Sequence, residues 1–441
     1  MTSTGNSSKS SSKRKLSKNT INESPSKITS LRSLYGKKCE SVREKYEILE
    51  KRDNLIKLML YGREKSLIYD IVKGTLENMC SEKEFYLRKL ENQISIYEKD
   101  DGKKVNIEKM IKKYRRSAAD QEKSLPHELR TDKCLVMTLN YLMSNVKPEK
   151  NCTTKTLSRW YDFMWDRTRS IRKDLMQQDI VNKESLYIFE VCARFHIYMA
   201  YNLHHLSMDE FDPKLNFEQL KQCLTSIFLC YKEMENDGIK CENEKEFRCY
   251  ELIVNFHNKN ILSKIRSFKK EIYQSNEYRK VIKLTQQFHH GNYTKFFELL
   301  KEIENPLILC LCHQYFFEVR YNAINVIKIA YNKTKIPLNY LAEILCIEEK
   351  DELVVFGTGC GLETVENDDN LFLVKNNVVP KCKVVNIKDN WIKSKLVDPL
   401  ENIVKISKLD DSTTFNSVPI SFDNLNRYTN DPIFHFYTNN C

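Results

Sequence analysis

The sequence predicts a mostly α-helical chain, a stack of antiparallel helices followed by a small winged-helix module. Three observations carry this. Gly and Pro number only 10 each in 441 residues, together about 4.5% against roughly 12% in average usage, so the chain has little turn punctuation. Between Lys103 and Phe356 the only glycines are Gly238 and Gly291. After Pro337 the pattern changes to two short helices, a glycine cluster and two alternating segments.

In chain order, residues 1–30 are rich in Ser, Thr, Lys and Asn and read as a disordered tail, with Lys13-Arg14-Lys15 either a nuclear-localisation element or a solubilising charge cluster. Order is expected from Val42, where Tyr46, Leu49, Leu55, Ile56, Met59 and Leu60 fall at helical spacing. Helices are predicted over 157–178, 184–206, 216–236, 245–256 and 307–331. Gly291-Asn292 joins a left-handed helix stop to an N-cap. Asp212-Pro213 is a stop and restart, with Asn216 and Gln219 as a pair of capping-box type. Short connectors between long helices imply a helical solenoid, without a strict residue repeat.

Leu338–Cys346 and Glu348–Phe356 read as the next two helices. Gly357, Gly359 and Gly361 form a non-helical corner. Leu362–Val365 and Leu371–Val374, joined by residues 367–370, read as a hairpin. Helix–turn–helix plus hairpin is the outline of a winged helix. The glycine cluster lacks the Lys-Ser/Thr and the helix start of a phosphate loop. The domains expected are 1–38, a basic disordered tail; 39–205, an N-terminal helical region; 206–335, the helical stack; 336–385, the winged helix; and 386–441, a polar tail.

Lys and Arg number 71 against 60 Asp and Glu, a net charge of +11. Residues 1–38 hold nine basic residues and one acidic, so +8 of this lies in the tail and +3 in the remainder. Nucleic-acid binding therefore has to come from local faces. Residues 375–408 carry eight lysines against three acidic residues, and within them Lys375, Lys381, Lys383 and Lys388 are the expected phosphate contacts. Residues 259–283, with eight basic and two acidic residues, are a second basic face.

Fifteen scattered cysteines suggest a reducing compartment, and the longest apolar run, 306–317, is too short to span a bilayer. No membrane association is expected. Cys310-Leu311-Cys312-His313 lacks a second pair at zinc spacing. No nucleophile elbow and no Cys or Ser beside a base is found, so no enzyme, cofactor or metal is expected. In residues 160–174, Tyr161, Met164, Trp165, Thr168, Ile171 and Leu175 form one helical stripe. Arg167, Arg169 and Arg172 alternate there with Asp162, Asp166 and Asp174. They read either as anion-binding groups or, more commonly for interleaved charges, as an internal network.

These segments resemble the GANP family (germinal-centre-associated nuclear protein), which includes the yeast Sac-type mRNA-export factors and is also described as leucine permease transcriptional regulator-like. The motifs are 46–53 (Tyr46 to Asp53), 74–84 (Gly74 to Glu84), 116–121 (Arg116 to Gln121, including Asp120), 125–130, 165–174 (Trp165, Asp166, Arg167, Arg169, Arg172), 194–197 (Arg194, His196), 211–216 and Arg320 with Ala323. In the second, Leu76 stands where the family has Cys, and Ser81 where it has Pro.

The resemblance implies a tetratricopeptide-like stack ending in a PCI-like winged helix. It also implies a scaffold that pairs with a PCI-domain protein and a small acidic proteasome-lid-type subunit. The adjoining winged helices would bind RNA or single-stranded nucleic acid in mRNA export. The matched residues would be structural or partner-binding. The setting implied is the nucleus, at the nuclear pore and envelope. The alternative is a short family member acting at the centrosome and spindle, or in the cytoplasm. Neither a centrin-binding helix nor a run of Phe-Gly repeats is found in this chain.

Overall fold

The computed structural model describes residues 25–61, 71–100, 104–116, 124–148, 153–265, 268–331, 334–367, 370–375, 387–396, 400–404 and 420–439. Lys13-Arg14-Lys15, Asp120, Lys381 and Lys383 lie outside these. The chain is mostly helical and divides into two units.

The first unit takes residues 1–110, 122–129 and 416–441. Its elements are α1 (Pro25–Arg32), α2 (Val42–Tyr61), α3 (Glu82–Leu90), the short ribbon β1 (Lys99–Asp100) with β2 (Lys104–Val105), and the final helix α19 (Pro432–Asn439). The start of α2 at Val42 agrees with the spacing of its apolar residues. Helix α1, in contrast, lies inside the stretch expected to be tail. Leu31 and Leu34 are buried in a core with Leu49, Ile56, Phe422, Tyr428 and Phe434, so a few apolar residues suffice once there is a surface to cover them. The same core corrects the reading of 386–441 as a polar tail: Phe422, Tyr428, Phe434 and Tyr437 of that stretch are buried here.

The second unit takes residues 111–121 and 130–415. It begins with α4 (Asp132–Asn145), α5 (Thr154–Gln177), α6 (Lys183–Asn202), α7 (Pro213–Asn236) and α8 (Glu244–Val254). The short α9 (Ile261–Lys264) and α10 (Lys270–Tyr273) follow, then α11 (Asn276–His290), α12 (Tyr293–Lys301), α13 (Pro306–His313) and α14 (Phe316–Tyr331). Helix α6 is buried along almost its whole length and packs against α7, α4 and α13.

At the α11–α12 joint Gly291 has φ +67°, and Asn292 accepts the Lys295 N–H, as the sequence predicts. The start of α7 differs from expectation. Asp212, not Asn216, is the N-cap, accepting from the Lys214 and Leu215 N–H groups. Asn216 is buried in the first turn with other partners. The single helix expected over 307–331 is two, broken at Gln314-Tyr315, where the Tyr315 hydroxyl donates to the Ile253 carbonyl.

Next come β3 (Ile336–Pro337), α15 (Leu338–Leu345), α16 (Lys350–Gly359), β4 (Leu362–Asn367), β5 (Asn370–Lys375), α17 (Asn390–Lys395) and α18 (Leu400–Val404). The strands form an antiparallel sheet in the order β3-β5-β4, with Leu362 opposite Lys375 and Asn367 opposite Asn370. The hairpin matches the sequence reading; the β3 strand was not foreseen. The glycine corner is also revised, because Gly357 and Gly359 belong to α16 and only Gly361, at φ +85°, has left-handed backbone. A core of Ile324, Ile327, Leu341, Leu345, Leu353, Phe356 and Leu362 joins α14, α15, α16 and the hairpin.

Candidate functional site

The charged residues singled out in the sequence lie mainly inside the second unit. In α5, Trp160, Tyr161, Met164, Thr168, Ile171 and Leu175 are buried, and so are Arg167, Arg172 and Asp174. Trp165 and Arg169 are partly exposed. A 24-residue helix with carboxylates and guanidiniums on its inner side needs partners for each of them.

It has them. Asp174 accepts from Arg130 Nε at 2.8 Å and from Lys112 Nζ at 2.7 Å, and Arg130 Nη2 also reaches Ser170 Oγ at 2.9 Å. Burial alone would raise the Asp174 carboxyl, but Arg130 and Lys112 hold it below the ordinary value. Asp166 pairs with Arg167 and accepts the Tyr114 N–H at 3.1 Å. The Arg169 guanidinium sits over the rings of Tyr114 (4.1 Å) and Trp165 (5.0 Å). Arg172 Nη2 donates to Gln219 Oε1 at 2.8 Å. Of the three α5 arginines singled out in the sequence, Arg167 and Arg172 are thus buried and bonded internally and Arg169 is stacked on aromatics. Arg116 is exposed.

Helix α6 carries Arg194 and His196. Arg194 makes a two-pronged pair with Glu246 of α8, Nε–Oε1 2.8 Å and Nη2–Oε2 2.6 Å, with the ring of Phe247 5.0 Å away. His196 Nδ1 donates to Asn216 Oδ1 at 2.8 Å, and Asn216 Nδ2 returns a bond to the His196 carbonyl at 2.9 Å. Tyr161 donates to the same Asn216 oxygen at 2.9 Å. Full burial, with Arg172 nearby, pushes the imidazole down to about 3.

Arg320, in α14, closes the small α/β module. Nε and Nη2 donate to the last carbonyls near the end of α15, Leu345 (3.0 Å) and Cys346 (2.6 Å). Nη1 and Nη2 donate to Asp389 at 3.2 and 2.6 Å. His313 Nε2 lies 3.2 Å from the same carboxylate, and Tyr201 donates to the Asp389 carbonyl at 3.0 Å. Burial opposes ionisation of Asp389, yet His313 and Arg320 hold its carboxyl below the ordinary value. The Trp391 Nε1–H also reaches Asp389 Oδ1 at 3.4 Å, and the grouping of Asp389 with Arg320, His313 and Trp391 was missed in the sequence. An isolated aspartate among lysines carries no local signal for a pairing 69 residues away. Cys310 and Cys312 are buried on α13, where burial pushes both thiols up.

Among the expected phosphate contacts, Lys375 ends strand β5, and Lys388 is exposed with its backbone N–H bonded to Glu352 Oε2 at 3.0 Å. Lys381 and Lys383 are outside the described residues. In the second basic face, Lys269 is paired with Glu235 and Glu244, and Lys280 donates to the Glu302 carbonyl, so part of its charge is spent internally. Beside α17 runs a groove of about 360 Å³ bordered by Lys301, Cys346, Trp391 and Lys395. Among the described residues no helix is long and apolar enough to cross a membrane.

A family model described as the SAC3/GANP family matches residues 79–366. Protein xmas of Drosophila melanogaster is 32% identical over 353 residues, covering 78% of this chain and 17% of the relative. SAC3 family protein 1 of Schizosaccharomyces pombe is 26% identical over 322 residues, 67% of this chain and 30% of the relative. SAC3 family protein B of Arabidopsis thaliana is 27% identical over 325 residues, 70% and 18% respectively. The chain therefore spans less than a third of the length of each of these three relatives.

Proposed function

Because this chain belongs to the SAC3/GANP family, we propose that it is a non-catalytic scaffold of nuclear, transcription-coupled mRNA export. Its second unit is a tetratricopeptide-like stack, and α15, α16 and the β3-β5-β4 sheet serve as a PCI-like winged helix. This module pairs with a PCI-domain protein, which brings a small acidic proteasome-lid-type subunit. The adjoining winged helices bind RNA or single-stranded nucleic acid, at or near the nuclear pore.

The observation that supports this reading best is the order of elements after α14: a short strand, two helices and a hairpin whose second strand lies between the other two. Arg320 supports it further by tying the end of α15 to α14 and Asp389, which makes the module a rigid continuation of the stack. The internal engagement of Arg167, Arg172, Arg194 and His196 supports reading these motif residues as holding the stack together. Nucleic-acid contact is left to exposed lysines such as Lys388.

Affinity purification of the chain from cells is expected to recover a PCI-domain protein with a small acidic subunit; recovery of neither overturns the scaffold reading. With the purified complex, binding of single-stranded RNA should weaken with salt, and Lys375, Lys381, Lys383 and Lys388→Glu should lower both the affinity and the salt slope. Unchanged binding by that variant would move the contact elsewhere.

A further inference from the structure

Three stretches singled out in the sequence, 46–53, 74–84 and 125–130, meet around one small cavity inside the first unit, an arrangement unrelated to the module proposed to bind RNA. The cavity is about 50 Å³ and is lined by residues that include Arg52, Asp53, Asn78, Glu82, His127 and Asp431. A single water needs roughly 10–15 Å³ on this measure, so there is room for a small polyatomic group.

The charges around it are unequal. Arg52 donates to Asp53 Oδ1 from Nε and Nη2 (2.8 and 2.7 Å) and to Asp431 Oδ2 from Nη1 (2.5 Å). Lys83 pairs with Asp53 and with Glu128, the latter at 2.5 Å. Two fixed cations thus serve three carboxylates. Glu82 is the fourth. It accepts from the Ser421 N–H (3.1 Å) and hydroxyl (2.5 Å) but has no ion-pair partner among the described residues. Burial accordingly pushes its carboxyl up to about 7.

Two further polar atoms on the wall are buried without any hydrogen-bond partner, Asn78 Oδ1 and His127 Nδ1, on side chains only 7% and 6% exposed. His127 Nε2 lies 2.9 Å from Asp53 Oδ1. With that nitrogen donating to the carboxylate, Nδ1 is a bare acceptor whenever the ring carries a single proton. Buried acceptors left unmatched are costly, so native structures supply a donor for nearly all of them. An anion is disfavoured by four carboxylates against two cations. Among the described residues no group of three His, Cys, Asp or Glu is placed to hold a metal ion.

We propose that this cavity is a binding site for a primary ammonium group, held as an N–H donor by Asn78 Oδ1, His127 Nδ1 and the Glu82 carboxylate. The group is small enough to enter, supplies the missing positive charge, and carries three donors for the unmatched acceptors. A free polyamine and a lysine side chain both present this chemistry.

The test uses the full chain at constant ionic strength. Methylammonium is expected to raise its thermal midpoint saturably, while tetramethylammonium, which has no N–H, and potassium do not. Glu82→Gln, which keeps the side-chain size and a contact for Ser421, and Asn78→Leu should each weaken methylammonium binding by roughly tenfold, the cost of one charge-assisted or buried hydrogen bond. Spermidine and Nα-acetyl-lysine amide then separate the two sources by which binds more tightly. Equal effects of methylammonium, tetramethylammonium and potassium on the wild-type chain would overturn the proposal even if a variant failed to fold. So would unchanged affinity in both folded variants.

Discussion

The Arg320 guanidinium and the Asp389 carboxylate meet through two hydrogen bonds, 2.6 and 3.2 Å, across 69 residues of sequence. Arg320 also lies between the rings of Phe297 and Phe316, 5.3 and 5.2 Å from their centres. One side chain therefore fixes the end of α15, the segment leading into α17 and the side of α14.

Arg320→Ala should be among the most damaging single changes in the second unit. It leaves the buried Asp389 without its guanidinium, facing only His313 and the Trp391 indole N–H among the described residues, and it uncovers the Leu345 and Cys346 carbonyls. Breaking a buried pair from one side costs about 3–5 kcal/mol. Urea unfolding should show a loss of that order. Arg320→Lys should recover only part of it, because an ammonium cannot reach both the carboxylate and two carbonyls in the plane of a guanidinium.

Acid should weaken the second unit through His196. Its imidazole is held down to about 3 by burial and by Arg172, against an ordinary value of 6.5. A base with a depressed folded pKa stabilises the fold above its unfolded value, and that contribution is lost as pH falls from about 6.5 toward 3. Stability measured between pH 7 and 4 should fall less steeply in His196→Gln, which can still donate to Asn216, than in the natural sequence.

The first unit carries an opposite dependence at Glu82. Burial pushes this carboxyl up to about 7 from an ordinary 4.5, with Asp431 adding to the rise and Ser421 opposing it. A raised carboxyl stabilises the fold below its unfolded value, and that contribution is lost as pH rises through about 7. Glu82→Gln should remove the loss between pH 4.5 and 7.5, leaving the variant more stable than the natural chain at the upper end. The difference should be on the order of 1–3 kcal/mol. Hydrogen exchange of α3 reports it locally.

At the α11–α12 joint, Gly291→Ala tests backbone alone. A methyl group there would meet nothing within 4 Å, but φ is +67°. The expected cost is about 1–2 kcal/mol, the ordinary penalty for an L-residue in left-handed backbone. Gly291→Asn should cost less, and both are read from thermal midpoints.

The parts legible in the sequence are those decided within a turn or two of chain. Gly291 and Asn292 cap neighbouring helices because a left-handed glycine and a side-chain acceptor act over three or four residues. The hairpin at 362–375 and the inward stripe of α5 follow from periodicity alone. Where two nearby residues could do one local job, the local pattern pointed to the wrong one. Asp212 and Asn216 can both cap α7, and Asn216 is taken out of that role by His196 and Tyr161.

By itself, then, the sequence determined a helical chain with a hairpin near its end and the motifs of its family, because helix periodicity, capping and hairpin alternation are short-range. Only the tertiary structure decided which charges face one another. It brought Asp389 to Arg320 and Glu246 to Arg194, and it buried Phe422 and Tyr428 from a stretch that reads as polar. It also gathered Arg52, Asn78, Glu82 and His127 around one cavity. The physical reason is that a buried charge or aromatic is stabilised by whatever lies across the core, and no local pattern records which residue that will be.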